Sequence, residues 1–269
     1  MKKTTIILLL LFLPLSLFAG WDIVTNMPNP RHGLSAVELD GKIYVIGGQE
    51  RHHGGGLPSV DIVTAYDPVS NEWDEEIAPL NHARRYAFAA AHNGYIYVAG
   101  GRDGVTPVPQ VERYDPATNE WRDITELPYP RIGLGGAILG DSLFVIGGDL
   151  PDSESGEKLS RVDIYRFSDS TWTEGPPLHQ ARTLGLTVQI QNHLVVLGGL
   201  QLSPLTSTEI YENGSWSTGP DLPHITANFG GVTLGDSIVI AGGAVQDGNT
   251  RECYILDGDT WSEASELNH

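Results

Sequence analysis

The chain has a single cysteine, Cys253, among 269 residues, so no disulfide can form within one molecule. Basic residues are scarce: 16 Lys and Arg stand against 34 Asp and Glu, a formal net charge of -18. Nucleic acid and anionic membrane surfaces both require a basic footprint, so neither is expected as a partner, and the acidity otherwise favours solubility. Long apolar runs are absent with one exception. Ile6 to Ala19 is mostly apolar, follows the Lys2-Lys3 pair and ends on a small residue before Gly20-Trp21. The run is several residues short of the ~20 a membrane-spanning helix needs, and it reads as a secretory signal peptide over 1–19, cleaved after Ala19, although Leu17 departs from the small residue preferred three back from the cut. Cleavage removes Lys2 and Lys3 and no acid, so the charge moves from -18 to -20. The expected product is a soluble monomer, exported to the periplasm or beyond, with no membrane span. Helical periodicity is missing after the leader, and so are a nucleophile elbow, a phosphate loop and a zinc motif; no cofactor and no metal are expected. A chain of this size buries a sufficient core without cross-links, and Cys253, alternating with Glu252 and Tyr254, is expected to be a packed strand thiol.

What is present is a repeat. The six tryptophans, Trp21, Trp73, Trp121, Trp172, Trp216 and Trp261, are spaced by 52, 48, 51, 44 and 45 residues, within the range that marks repeat architectures. Ten or eleven positions after the first four stand Arg31, Arg84, Arg131 and Arg182, with Thr226 in the fifth place. Sixteen positions further come Gly47-Gly48, Gly100-Gly101, Gly147-Gly148, Gly198-Gly199 and Gly242-Gly243. A tyrosine then precedes the next tryptophan: Tyr66, Tyr114, Tyr165, Tyr211 and Tyr254.

Each unit reads as four short strands separated by turn clusters, an all-β pattern. The first is rich in Gly and Ala; the second is an apolar run ending in the glycine pair; the third ends at the tyrosine and the fourth carries the tryptophan. Asp67-Pro68, Asp115-Pro116, Asn213-Gly214 and Asp257-Gly258 supply hairpin chemistry between the last two. One such sheet cannot bury both faces alone, so the units must stack side by side, and radial stacking gives a propeller. Units are expected at about 31–73, 84–121, 131–172, 182–216 and 226–261, with a leading strand at about 21–28, all within one domain over 20–269.

The runs Gly41 to Gly48, Gly94 to Gly101 and Val111 to Trp121, joined to the arginine landmarks, resemble the kelch family of β-propellers in its secreted, bacterial type, and the resemblance covers Trp21 to the end. It implies a propeller and leaves function open, because propellers host unrelated activities. In a closed kelch ring a leading strand completes the last blade, yet the fifth unit already owns its fourth strand at Trp261. Leu267-Asn268-His269 moreover repeats Leu80-Asn81-His82. The expectation is an incomplete six-bladed ring; a closed five-bladed ring with a spare strand is the alternative.

Strand parity puts the link into the first strand and the link between second and third strands on one side of the disc. The first link carries the arginines and the second carries most of the length variation, so recognition is expected on this face. Arg31, Arg84, Arg131 and Arg182, with Arg85 beside them, are the candidate ligand-binding residues for an anionic partner, since the planar guanidinium pairs carboxylates bidentately. The competing reading ties each arginine to an acid recurring two residues before the tyrosine: Glu112, Asp163, Glu209 and Glu252. His52-His53 in the longest loop lacks a third metal ligand. Asp149, Asp152, Glu154 and Glu157 lack the ligand spacing of a calcium loop. Ser168 to Trp172 resembles a sialidase Asp-box but occupies an ordinary hairpin position. Three functions follow: a binding module for a protein or glycan, a carbohydrate-active enzyme, or a structural module of a larger assembly. The resemblance implies for the second a sialic-acid mutarotase; a galactose-oxidase-like copper centre is disfavoured because Cys253 lies in a routine third strand.

Overall fold

The structure is a computed structural model that describes residues 21–50, 58–150, 156–224, 227–245 and 248–267. Residues 1–19, where the leader is expected, lie outside them, as do His52-His53, Asp152, Glu154 and Thr226. The chain forms five four-stranded antiparallel sheets, each with its strands in chain order. The first blade is built from Ser35–Leu39, Lys42–Ile46, Val63–Asp67 and Glu72–Asp74, and the second from Phe88–His92, Tyr95–Ala99, Gln110–Asp115 and Glu120–Glu126. Gly135–Leu139, Ser142–Ile146, Val162–Arg166 and Thr171–Glu174 make the third. Leu186–Ile190, His193–Leu197, Thr208–Glu212 and Ser215–Thr218 make the fourth, and Gly230–Leu234, Ser237–Ala241, Cys253–Asp257 and Thr260–Ala264 the fifth. The described residues contain no helix, and hence none long and apolar enough to cross a membrane.

The first strands of successive blades pack side by side around the axis. Small side chains there allow the close approach, while the tryptophans fill the wider space further out. Four of the indoles reach back to the preceding blade, to the segment four or five residues beyond that blade's own tryptophan. Trp121 Nε1 donates to the Ala78 carbonyl at 2.9 Å, Trp172 to Thr125 Oγ1 at 3.0 Å, Trp216 to the Pro176 carbonyl at 2.8 Å and Trp261 to the Pro220 carbonyl at 3.4 Å. In the first four blades a tyrosine stands opposite the tryptophan, with ring centroids 5.1–5.2 Å apart; such pairs add about 0.5–1.5 kcal/mol beyond their area burial.

Two expectations change. The residue opposite Trp261 is Leu256, and Tyr254 lies two places earlier, opposite Glu263. The Asp257-Gly258 hairpin is as short as Asn213-Gly214, which draws the cross-strand partner closer in sequence. Residues 21–28 form no strand; their anchor is Trp21, whose Nε1 donates to the Ser265 carbonyl at 2.8 Å.

The glycine pairs mark where blades touch. At Gly47 and Gly147, with φ of 60° and 61°, an added Cβ would lie 2.5 Å from the carbonyl oxygens of Arg84 and Arg182 in the next blade. No side chain fits against a backbone atom at that distance, which accounts for glycine at these two positions.

Candidate functional site

The landmark arginines are interior residues. Arg84, Arg131 and Arg182 are 1 %, 0 % and 2 % exposed, and Arg31 8 %. Arg84 Nη2 meets Glu112 Oε1 at 2.6 Å, while Nη1 donates to the carbonyls of Gly100 and Gln110 at 3.0 and 2.8 Å. Arg182 repeats the arrangement with Glu209 at 2.7 Å and the carbonyls of Gly198 and Ser207, both at 2.8 Å. Arg131 pairs with Asp163 at 2.9 Å. Among the described residues Arg31 donates to Thr64 Oγ1 and the Val45 carbonyl, at 3.2 and 3.1 Å. Burial works against charge throughout: it lowers Arg84 and Arg182, raises Glu112, and lowers Arg131 to about 10. The carbonyls of Arg84, Arg131 and Arg182 meanwhile accept the N–H groups of Gly48, Gly101 and Gly148 in the preceding blade. Each of these arginines thus ties its own blade together through the side chain and holds the neighbour through the backbone. With side chains closed to solvent, these positions present no guanidinium to a ligand.

Register also reassigns the acid of the fifth blade. The Glu252 carbonyl accepts the Gly242 N–H just as Ser207 serves Gly198 and Arg161 serves Gly147, so the place held elsewhere by Glu112, Asp163 and Glu209 belongs to Tyr254. Glu252 instead accepts from the Tyr254 hydroxyl at 3.1 Å.

The face expected to carry recognition does bring together the two links. Short bridges join Arg31 to Glu50, Arg85 to Arg102, Ile132 to Asp149, Thr183 to Leu200 and Ala227 to Ala244. Beneath them runs a central cavity of about 400 Å³ lined by all five inner strands. Gly33, Tyr86, Gly133, Leu184 and Asn228 occupy equivalent positions around it, all left-handed with φ between 53° and 63°. They are linked in series: the N–H of Tyr86 donates to Gly33, Gly133 to Tyr86, Leu184 to Gly133 and Asn228 to Leu184. Glycine and asparagine adopt this conformation readily, whereas Tyr86 and Leu184 hold it at a cost of about 1–3 kcal/mol each.

Tyr86 is also the floor of a basic cluster. The guanidinium carbons of Arg85 and Arg102 both lie 5.6 Å from its ring centroid, and the two residues exchange backbone hydrogen bonds of 3.0 Å. Arg85 Nη1 donates to Gln49 Oε1 and Nη2 to the Gly104 carbonyl at 3.3 Å. Neither arginine forms an ion pair among the described residues, and the Nε of each is buried without a hydrogen-bond partner. Burial first, and the charge of Arg102 second, lower the affinity of Arg85 for its proton. The two adjacent, incompletely satisfied cations flank Tyr86, which itself lines the central cavity. Of the residues anticipated for binding, Arg85 alone stands here; Arg102 carries no repeat signal, because its position, just after the glycine pair, is Gln49, Asp149, Leu200 and Ala244 in the other units.

The remaining candidates resolve locally. Asp149 is paired with Lys158 at 3.0 Å, and burial raises its carboxyl. His82, Glu112 and Asp123 bring ligand atoms within 4.8 Å of one another, but Glu112 is engaged by Arg84 and by the Asn81 N–H at 2.7 Å, and His82 hydrogen-bonds Asp123 at 2.9 Å. Cys253 is buried, and burial pushes its thiol up.

Residues 19–199 match the KLHDC2/KLHL20/DRC7 Kelch-repeats domain model. Kelch-like protein 26 of Danio rerio is 29 % identical over 212 residues, 76 % of this chain and 34 % of that protein. Beta-scruin of Limulus polyphemus is 28 % identical over 268 residues, 92 % of this chain and 29 % of that one. The chain therefore spans about a third of the length of these relatives. A solved structure of YjhT superposes with a TM-score of 0.78 at 19 % identity, covering 90 % of this chain and 86 % of the other, a likeness of fold.

Proposed function

The chain belongs to the kelch-repeat family, whose propellers are in general protein-interaction modules, and on that footing we propose that it binds an acidic polypeptide segment at the channel mouth. The observation that carries this reading is the Arg85–Arg102 pair, two guanidinium groups stacked around Tyr86 with buried Nε donors left unused. Both side chains are only partly buried, and a carboxylate arriving from solvent pairs with a planar guanidinium by charge-assisted hydrogen bonds. The protein acts outside the cytoplasm on this proposal, in keeping with the Lys2-Lys3 start and the apolar run to Ala19. Selection from a random peptide library tests the reading: bound peptides enriched in Asp and Glu, and released by raised salt, support it, whereas neutral or basic consensus peptides contradict it.

A second reading, turnover of an acidic sugar, draws on Asp149. Its carboxyl is raised by burial, lies within electrostatic reach of Arg102, and so suits a proton-transfer role beside an anion site. Nuclear magnetic resonance of sialic-acid anomers separates the two, since acceleration of their exchange by the protein requires chemistry and a binding module gives none.

A further inference from the structure

We infer that the junction between the fourth and fifth blades is a binding site for a small monocyclic phenol, entered from the face of the disc opposite the arginines. The first three junctions are filled by rings from both sides. The middle residue of the second strand is Tyr44, Tyr97 and Phe144 in the first three blades, and each meets an aromatic side chain of the next blade. Ring centroids lie 5.9 Å apart for Tyr44 and Tyr114, 4.8 Å for Tyr97 and Phe167, and 5.1 Å for Phe144 and Tyr211. At the fourth junction the corresponding residues are Val195 and Leu256, and Gly258 stands where the third blade has Phe167. The rings that close the other junctions are thus missing from both sides of this one. What remains is a cavity of about 260 Å³, floored by the buried Val195, Ile238 and Leu256 and walled by Ile190, Ile210 and Pro220. An apolar cavity of about 150 Å³ accommodates benzene, and pockets for drug-sized ligands begin at about 300 Å³. The volume therefore suits one ring carrying little else.

Recognition of a hydroxyl comes from the hairpin. Tyr66 and Tyr114, the counterparts of Leu256 in the first two blades, each donate the hydroxyl to an asparagine two residues before the tryptophan. Tyr66 reaches Asn71 Oδ1 and Tyr114 reaches Asn119 Oδ1, both at 2.9 Å. That place in the fifth blade is Asp259, which lines the cavity, and Leu256 has no hydroxyl to give it. A phenol seated where the tyrosine ring lies in other blades turns its hydroxyl to this carboxylate. The resulting charge-assisted bond is about twice as strong as the neutral one made to asparagine. Beside the entrance Gln191 Nε2 donates to Asp236 Oδ1 at 3.0 Å, joining the two blades. Two acids, Asp236 and Asp259, at one mouth oppose an aromatic carboxylate by like charge, so the neutral phenol is the class selected.

The inference is independent of what binds near Arg85, which lies on the other face. Its test is calorimetric titration of the full chain with p-cresol, toluene and N-acetyltyrosinamide. Saturable binding of p-cresol is expected, about tenfold tighter than toluene and tighter than N-acetyltyrosinamide, whose backbone exceeds the cavity. Leu256→Tyr and Val195→Phe each restore a ring found in other blades, and each is expected to abolish binding without lowering the melting temperature. Asp259→Asn is expected to retain toluene binding and to narrow the preference for p-cresol. No saturable binding of p-cresol, equal binding of p-cresol and toluene, or a preference unchanged in Asp259→Asn overturns the inference. So does p-cresol binding that survives in the folded ring-restoring variants. N-acetyltyrosinamide bound as tightly as p-cresol overturns the assignment to a free phenol and gives the site to a tyrosine side chain of a polypeptide.

Discussion

Arg84 and Glu112 meet at 2.6 Å with both side chains closed to solvent, and the same backbone segment gives the Arg84 carbonyl to Gly48 of the first blade. The pair is a clamp, and removal of one member strands the other. Arg84→Ala leaves a buried carboxylate and is expected to cost about 3–5 kcal/mol in urea unfolding. The double variant Arg84→Met, Glu112→Leu, which removes both charges and keeps the volume, is expected to recover most of that loss. Equal destabilisation in the single and double variants would count against an ionic clamp.

The tryptophans separate in the same assay. Trp121 Nε1 donates to Ala78, whereas Trp73 Nε1 is buried without an acceptor. Replacement by Phe removes similar ring area in both but sacrifices a hydrogen bond only at Trp121. Trp121→Phe is expected to destabilise by about 1 kcal/mol more than Trp73→Phe.

Tyr114 supplies a pH window. Burial pushes its hydroxyl from 10.0 to about 12, with Tyr44 and nearby acids adding to the shift. The unfolded chain thus loses this proton before the folded one. Its contribution to stability is intact below pH 10 and falls as pH rises from 10 toward 12. Denaturant midpoints across that range are expected to decline less steeply in Tyr114→Phe than in the unaltered chain.

These contrasts mark what the sequence makes legible. Trp121 and the Gly147-Gly148 pair recur in every unit and Arg84 in four of the five, because each meets a geometric demand of blade packing that comparison of the units brings out. The arginine that recurs in four of the five units is interior in each of them, because a position repeated from blade to blade serves the scaffold. Arg102 varies from unit to unit, and a search for repetition passes over it. Tyr254 falls out of step for a different reason, since a hairpin shortened by two residues shifts the sequence spacing while strand register keeps Leu256 opposite Trp261. The left-handed Tyr86 and Leu184 carry no residue signal for that backbone; only their place in the ring demands it.

The division between buried clamps and an open pair is tested most directly by paired isotherms and melting curves. A selected acidic peptide is titrated into the unaltered chain, Arg85→Ala and Arg102→Ala, and the melting temperature of each protein is recorded. The account predicts at least tenfold weaker binding in both variants with stability changed by no more than about 1 kcal/mol. Undiminished affinity in both, or a loss of affinity that only tracks a loss of stability, would contradict it.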